Sequence, residues 1–185
     1  EIIPLIKQRI STPSAVIDLK GIDELKAVAA RDGWVEIGAN VTLFELKNNP
    51  LIRDNFPALS ESLEATACET LQMRGTIGGN ILQDTRCLEH NQSLEWRSAR
   101  GFCIRSGGKE CNVVKGAKIC FANYCSDNAP ALVTLGAEAR FTGPKGERVV
   151  TLGSFFTGEA LKPFATEAGE ILMHIRGPAE ETKGA

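Results

Sequence analysis

The stretch that decides the fold is 74–81, which reads Arg-Gly-Thr-Ile-Gly-Gly-Asn-Ile. Consecutive glycines let a main chain approach an anion closely and present its N–H groups as donors. Thr76 and Asn80 add side chains that form hydrogen bonds. The stretch has neither the spacing of a dinucleotide-binding GxGxxG motif nor the Gly-Lys-Ser/Thr of a P-loop. From these residues alone it is either a phosphate- or cofactor-binding loop or an ordinary tight turn.

Short strands and short helices are predicted on both sides of this loop. Asp32-Gly33 and residues 143–146 are typical of β-hairpin turns, and Thr42 with Glu45 forms the capping box of a short helix. This mixture of short elements predicts an α+β fold. The predicted strands are 15–18, 27–30, 34–39, 137–141, 148–151 and 170–175, and the predicted helical segments are 22–25, 43–47, 57–67 and 130–135.

The composition is that of a globular protein. Of the 185 residues, 43% are hydrophobic, which is enough to build a core. The formal net charge is −2, from 21 Lys and Arg against 23 Asp and Glu, and this balance argues against a general nucleic-acid binder. No apolar run reaches the roughly 18 residues that a membrane span needs. The first residues do not resemble a secretory signal, which predicts a cytoplasmic location.

The six cysteines are unevenly distributed, because five of them fall within residues 87–125. Soft thiolate ligands bind zinc or iron–sulfur clusters. The spacing here matches neither the paired ligands of structural zinc sites nor the tight run of bacterial ferredoxins. The residues therefore predict a four-thiolate metal site, but their spacing does not identify the metal. Disulfides or unrelated buried thiols are the alternatives. The four cysteines follow the pattern C-x15-C-x7-C-x8-C and are Cys87, Cys103, Cys111 and Cys120.

Three further residues bear on this site. Cys68 and Cys125 lie outside the four-part pattern and are expected to be small buried side chains, although Cys125 is an alternative ligand to Cys120. His90 is another alternative ligand. Residues 84–125 show no convincing periodicity, and a structureless loop of that length is unusual in a compact domain. The segment therefore needs a source of order other than regular secondary structure.

Residues 74–81 resemble the second FAD-binding loop of the medium, flavin-carrying subunits of the molybdenum hydroxylases, the xanthine dehydrogenase family. In most members an Asp-containing segment follows that loop within a few residues. Here the corresponding segment is delayed to residues 126–132, Ser-Asp-Asn-Ala-Pro-Ala-Leu, so residues 84–125 resemble an insertion. The insertion is similar to that of one branch, the β subunits of 4-hydroxybenzoyl-CoA reductases, which carries an extra 4Fe-4S cluster. Asp84-Thr85-Arg86-Cys87, Asn91-Gln92-Ser93, Trp96-Arg97 and the spacing of the four cysteines carry this likeness.

The resemblance covers about residues 10–176 and implies an FAD-binding domain of the molybdopterin dehydrogenase (PCMH-like) type, with a Cys-rich insertion at 84–125. The family's first glycine-rich loop and its C-terminal subdomain are not found. Residues 1–176 are therefore expected to form a partial domain, and residues 177–185 a tail or linker. By resemblance, Cys87, Cys103, Cys111 and Cys120 would hold the 4Fe-4S cluster, and Thr76, Ile77, Gly78, Gly79, Asn80 and Asp127 would bind FAD.

The function that the resemblance implies is that of an electron-transferring oxidoreductase subunit. Electrons would pass from a ferredoxin-like donor through the 4Fe-4S cluster and FAD to a small subunit with 2Fe-2S clusters and a large subunit with a molybdenum cofactor. The complete enzyme would dehydroxylate 4-hydroxybenzoyl-CoA. The alternatives are a flavin subunit of another molybdenum hydroxylase that oxidises an aldehyde or N-heterocycle, and a zinc-binding structural module. No catalytic residue is assigned, because the chain has only two histidines and no Ser/His/Asp set.

Overall fold

The computed structural model describes residues 2–179, which divide into two compact units. The first, named here the cysteine unit, comprises the described residues up to 17, residues 83–125 and residues 157–163. The second, the sheet unit, comprises residues 18–82, 126–156 and the described residues from 164 onward. No helix between residues 2 and 179 is both long enough and apolar enough to cross a lipid bilayer.

The elements are short in both units. In chain order the helices are α1 (Ile2–Lys7), α2 (Leu43–Lys47), α3 (Pro50–Asn55), α4 (Pro57–Ala65), α5 (Glu69–Gln72), α6 (Ile77–Ile81), α7 (Leu94–Arg100), α8 (Asn128–Thr134) and α9 (Leu152–Phe155), with 3-10 turns at Asp23–Lys26 and Ile104–Ser106. The strands are β1 (Val28–Arg31), β2 (Trp34–Gly38), β3 (Glu138–Gly143), β4 (Gly146–Thr151) and β5 (Ile171–Pro178). The predicted α+β mixture is confirmed.

The sheet unit is built on one antiparallel sheet with the strand order β1-β2-β5-β3-β4. β1 and β2 form the predicted hairpin, in which Asp32 and Gly33 have φ angles of 50° and 77°. Two consecutive positive φ angles are what a type I′ turn requires, and its twist matches that of the strands. β3 and β4 form the second predicted hairpin around Gly143 and Gly146. The last strand, β5, lies in the middle of the sheet between β2 and β3.

The sheet unit contains a continuous apolar core. Its buried side chains come from the sheet and from the helices α2, α3, α4, α6, α8 and α9. Phe155 packs against the tilted ring of Phe141 and stacks on Phe164, with ring centroids 5.2 and 5.3 Å apart. Burial of large apolar side chains contributes about 2 kcal/mol each. The core side chains include Val35, Ile37, Leu46, Ile52, Leu59, Leu63, Ile77, Ile81, Leu132, Leu152, Leu172 and Ile175.

The cysteine unit is organised differently. Its long segment is closed by an antiparallel bridge between Arg86 and Asn123, whose N–H and C=O groups exchange hydrogen bonds of 2.7 and 2.9 Å. Among the described residues of this unit, the buried apolar side chains are those of Cys103, Cys111 and Ala122. These three cannot form an apolar core of useful size, so other interactions must keep this unit folded.

Three sequence predictions need correction. Residues 15–18 form no strand; Val16 and Ile17 are 56% and 82% exposed, so no packing supports a strand there. The glycine-rich stretch is not a loop throughout, because α6 begins at Ile77. The expected tail 177–185 begins inside β5, because Gly177 and Pro178 continue the pairing with β2, opposite Val35 and Trp34. Residues 180–185 lie outside the described part of the chain.

Candidate functional site

The glycine-rich stretch forms the start of α6. Thr76 is the N-cap, and its side-chain oxygen accepts a hydrogen bond of 3.1 Å from the N–H of Gly79. The N–H of Asn80 donates to the carbonyl oxygen of Thr76 at 2.9 Å. This is the usual way in which a threonine starts a helix. The side chains of Thr76 and Asn80 thus emerge from one helical turn.

The other two N–H groups of this turn bond to the neighbouring chain segment. Ile77 donates to the carbonyl oxygen of Val41, and Gly78 to that of Ala39, both at 2.9 Å. A Cβ atom on Gly78 would lie 2.7 Å from the Ala39 oxygen and 2.9 Å from its Cβ, so only glycine allows this approach. The N–H groups of the turn are therefore engaged within the protein. A ligand here would meet the Cα surface of the exposed Gly79 and the side chains.

A hydrogen-bond network joins α6 to the start of α8. Ser126 Oγ donates to Asn80 Oδ1 at 2.6 Å, and Asn128 Nδ2 donates to the same oxygen at 3.1 Å. Asn128 is completely buried. Ser62 Oγ on α4 lies 3.0 Å from Asn128 Oδ1 and 2.9 Å from the Asp127 carbonyl oxygen, so its single proton is shared between them. The network fixes the Asn80 side chain in one orientation.

Asp127 lies between the two residues that bind Asn80. It has helical φ and ψ angles as the N-cap of α8, its side chain makes no capping hydrogen bond, and the residue is exposed. The structure therefore brings the segment of Asp127 to α6, as the sequence predicted for one site. Sequence reasoning missed Ser126 and Asn128, although both are polar residues directly beside Asp127.

The second candidate site is in the cysteine unit. Cys87, Cys103, Cys111 and Cys120 line one cavity. Its volume is about 10 Å³, which is roughly the space that one water molecule needs. Cys103 and Cys111 are buried, Cys87 and Cys120 are partly exposed, and all four are free thiols. Neither these four nor Cys68 and Cys125 form a disulfide, so the disulfide alternative is not what this structure shows.

Main-chain donors point at two of these sulfurs. The N–H of Val114 donates to Cys111 Sγ and the N–H of Ala122 to Cys120 Sγ, each at 3.5 Å. The bond from Val114 is the main reason why the pKa of the Cys111 thiol lies below its usual value. N–H···S bonds stabilise a thiolate over a thiol, and they recur around iron–sulfur clusters.

The thiols do not converge on one point. Within residues 2–179 no group of three or more His, Cys, Asp or Glu side chains is arranged to hold a metal ion. A structural zinc site needs four ligands at bonding distance from one atom, about 2.3 Å for sulfur. Among the described residues the structure therefore shows no formed metal site. It shows that the four expected thiols line one cavity, and the 4Fe-4S cluster stays a prediction.

The alternative ligands are placed as follows. His90 is buried and lines the same cavity, and its Nδ1 forms a 2.9 Å hydrogen bond with Ser106 Oγ. Burial, with help from Arg105 and Arg97, lowers the pKa of His90 to about 4. Cys125 is exposed, in contrast to the expected burial, and it is not among the residues that line the cavity.

Cys68 is also exposed and belongs to the sheet unit. Its expected burial is therefore wrong as well, because it lies just ahead of α5 with its sulfur 3.3 Å from Thr70 Oγ1. Cys68 is not among the residues that line the cavity of the four cysteines.

Two arginines organise the cysteine unit, and the sequence analysis assigned neither of them a role. Arg97 is buried and donates to the carbonyl oxygens of Gln8 and Arg9 at 3.2 and 2.8 Å, which ties the N-terminal segment to α7. Arg105 lines the thiol cavity and donates to Asp84 Oδ2 at 2.5 Å. Both roles depend on partners that are distant in the sequence, so only the folded structure reveals them.

Comparison with known proteins gives one family. The family model described as "FAD binding domain in molybdopterin dehydrogenase" matches residues 1–180. The chain is 30% identical to the aldehyde oxidoreductase FAD-binding subunit PaoB of Escherichia coli (strain K12), over 96% of this chain and 58% of that protein. It is 27% identical to the carbon monoxide dehydrogenase medium chain of Hydrogenophaga pseudoflava, over 96% of this chain and 48% of that one. The chain spans about half the length of the curated relatives it matches.

Solved structures of related enzymes have the same fold as this chain. Reconstituted CO dehydrogenase from Oligotropha carboxidovorans superposes with a TM-score of 0.71 at 26% identity, over 98% of this chain and 49% of that chain. Quinoline 2-oxidoreductase from Pseudomonas putida 86 superposes with a TM-score of 0.69 over 97% of this chain and 49% of that chain. At 23% identity, the latter similarity supports the fold alone.

Proposed function

Because the chain belongs to the family of FAD-binding domains in molybdopterin dehydrogenases, we propose that it is the electron-transfer flavin and iron–sulfur subunit of a molybdenum-dependent oxidoreductase. Family membership confirms the expected α+β fold of the FAD-binding type. When bound, FAD supplies transfer of one or two electrons and an iron–sulfur cluster supplies transfer of one. Such a chain needs to hold and orient its cofactors and needs no nucleophile of its own.

We assign the FAD contacts to the start of α6 and to Asp127. The network from Ser126 and Asn128 supports this assignment, because it holds the Asn80 side chain in a fixed orientation before any ligand arrives. The exposed Asp127 carboxylate accepts hydrogen bonds from hydroxyl groups, of which FAD has several. Thr76 and Gly79 would supply the remaining contacts. Ile77 and Gly78, also predicted as FAD-binding residues, are buried with their N–H groups engaged, so they would support the site by holding α6 in position.

We assign the 4Fe-4S cluster to Cys87, Cys103, Cys111 and Cys120. The observation that carries this assignment is that all four thiols line one cavity in a unit with almost no apolar core. Small domains that cannot bury enough apolar surface commonly depend on a metal site for their stability. The cluster would add to the order that α7 and the buried contacts of Arg97 and Arg105 give to residues 84–125.

Occupation of this site requires the cavity to widen from its present volume of about 10 Å³. The segments that carry the thiols are suited to such a change. Cys103 precedes a 3-10 turn, and Cys111 and Cys120 lie outside regular elements. Loops with few buried apolar contacts open at low cost in free energy. Binding of the cluster would then bring these loops into one defined arrangement.

The partners and the substrate are part of the same proposal. The subunit would work with a large subunit that holds the molybdenum cofactor and a small subunit with 2Fe-2S clusters. It would receive electrons from a ferredoxin-like donor, for the dehydroxylation of 4-hydroxybenzoyl-CoA. The cysteine pattern and the segment Asp84–Cys87 support this choice of reaction. The six free thiols suit a reducing compartment, and we assign the protein to the cytoplasm.

A second reaction is favoured by one comparison. The relative with 30% identity is the FAD-binding subunit of an aldehyde oxidoreductase. The substrate of the complete enzyme would then be an aldehyde, and electrons would leave through this subunit instead of entering. The proposed cofactor sites of this chain are the same for both directions.

Purification of the complete complex without oxygen tests the proposal. The iron–sulfur flavoprotein should contain about four irons and four sulfides per chain, with one FAD. Dehydroxylation of 4-hydroxybenzoyl-CoA with a reduced ferredoxin supports the first reaction, and oxidation of an aldehyde with a dye acceptor supports the second. A colourless protein with one zinc and no flavin would contradict the proposal for both cofactors.

A further inference from the structure

Arg105 lies in the short 3-10 turn Ile104–Ser106 and makes several polar contacts there. Its side chain is only 9% exposed. Nη2 donates to Asp84 Oδ2 at 2.5 Å, and Nη1 donates to Thr85 Oγ1 and to the Ala160 carbonyl oxygen, both at 2.6 Å. These three partners hold the guanidinium in one position. A long cationic side chain is rarely buried unless it is paired in this way.

The guanidinium belongs to the thiol cavity. Arg105 lines that cavity together with the four cysteines. Arginine keeps its positive charge at any pH at which a protein is folded. Arg105 is therefore a permanent positive charge on the wall of the cavity that Cys120 also lines. Asp84 is 47% exposed, so water screens its carboxylate more than it screens the guanidinium.

We propose that Arg105 sets the reduction potential of the centre that these thiols hold. Thr85 and the Ala160 carbonyl oxygen keep its guanidinium in position when the charge of Asp84 is removed. This inference rests on the proposed cluster. Four thiolates give a 4Fe-4S centre a net negative charge, and reduction adds one more. A nearby positive charge stabilises the reduced form more than the oxidised form, and does so strongly where solvent is excluded. Loss of the Arg105 charge should therefore lower the potential.

The ion pair allows a test that separates charge from structure. Arg105→Gln removes the positive charge and Asp84→Asn removes the negative one, yet both break the same ion pair. A purely structural role predicts the same kind of damage from both changes. The electrostatic role predicts shifts of opposite sign, downward for Arg105→Gln and upward, by a smaller amount, for Asp84→Asn. Arg105→Lys keeps the charge and should restore most of the wild-type potential.

The experiment is a redox titration of the complete subunit, followed by electron paramagnetic resonance of the reduced cluster. For Arg105→Gln we expect the ratio of reduced to oxidised cluster at a fixed ambient potential to fall about tenfold, which is about 59 mV for one electron. Unchanged potentials, or shifts of the same sign in Arg105→Gln and Asp84→Asn, would overturn the role of Arg105.

Two controls keep the result interpretable. Iron and sulfide are measured in each variant, because a variant without a cluster reports nothing about its potential. If Arg105→Gln loses the cluster, the decision passes to Asp84→Asn and Arg105→Lys: an upward shift in the former with a near-wild-type value in the latter supports the inference, and any other pair of results overturns it. Wild-type protein without iron would instead refute the proposed cluster itself.

Discussion

The hydroxyl of Ser126 donates a 2.6 Å hydrogen bond to the side-chain oxygen of Asn80, across 46 positions of the sequence. The chain leaves the sheet unit after Leu82 and re-enters it at Ser126. Arg86 and Asn123 pair with each other inside the cysteine unit. A segment whose two ends lie side by side can be added to a fold without disturbing it, which supports the hypothesis that residues 84–125 are an insertion.

The first prediction concerns Asn80. In the complete subunit, Asn80→Ala should lower the affinity for FAD at least about tenfold, because it removes an oriented amide from the proposed site. The purified protein should therefore contain less FAD. The measurement is flavin absorbance per protein after equilibration at known FAD concentrations. Ser126→Ala is the matched control, since it removes one partner of Asn80 and leaves the amide. It should weaken FAD binding less, and equal effects of the two changes would assign Asn80 a structural role only.

The second prediction compares two adjacent glycines. A Cβ on Gly78 would lie 2.7 Å from the Ala39 carbonyl oxygen, whereas a Cβ on Gly79 would meet only Thr76 Oγ1, at 3.1 Å. Gly78→Ala should therefore push α6 away and reduce the free energy of unfolding by about 2 kcal/mol. Gly79→Ala should reduce the free energy of unfolding by clearly less. Thermal unfolding of both variants without FAD checks this, and equal melting temperatures would contradict the close packing of Gly78.

Part of this fold was predictable from local rules. Asp32-Gly33 and the Thr42–Glu45 capping box have short-range signatures, and both form as predicted. The central position of β5 depends on pairing across more than 130 residues and carries no local signal.

The candidate sites were also predictable only where the sequence carries a local pattern. The cysteine pattern named residues that share a cavity. Arg105 and Asn128 were missed, because their roles come from partners distant in sequence: Ala160 for the first, and Ser62 and Asn80 for the second. The strand predicted at 15–18 failed because propensity does not supply a pairing partner.

The third prediction separates the two sites. Cys111→Ser should lose or convert the cluster while FAD stays bound, since Cys111 and Asn80 belong to different units. Cys125→Ser is the control, because Cys125 is exposed and does not line the cavity; it should keep its iron. Iron, sulfide and flavin are measured on the same anaerobic samples. A complete four-iron cluster in Cys111→Ser would remove Cys111 from the ligand set.

The fourth prediction concerns acid stability. Two 2.7 Å hydrogen bonds from Arg148 lower the pKa of Glu170 from 4.5 to about 2. The stabilisation by this carboxylate is complete above pH 4.5 and disappears as the pH falls towards 2. Glu170→Gln should therefore lower the free energy of unfolding by about 2 kcal/mol at pH 7 and leave it almost unchanged at pH 2. Urea unfolding at several pH values measures this.

Glu147→Gln is the control for this acid-stability series. Its carboxylate is 61% exposed beside Arg140, and exposed pairs contribute little. A loss of stability in Glu170→Gln that is the same at pH 2 and pH 7 would contradict the role of its charge.

The fifth prediction follows from the sparse core of the cysteine unit. Removal of iron with a chelator should make residues 84–125 much more sensitive to a protease, while the sheet unit with its apolar core stays resistant. Limited proteolysis with mass spectrometry of the fragments locates the cuts. Equal cleavage rates with and without iron would mean that the unit is stable without a cluster.

We propose that four thiols from one small unit with almost no apolar core bind a polynuclear iron centre. The most direct measurement is the iron and acid-labile sulfide content of the complete subunit, prepared without oxygen. We expect about four of each per chain, with a broad visible absorption that dithionite bleaches. One tightly bound zinc, or four thiols that all react with an alkylating reagent in the native protein, would contradict it.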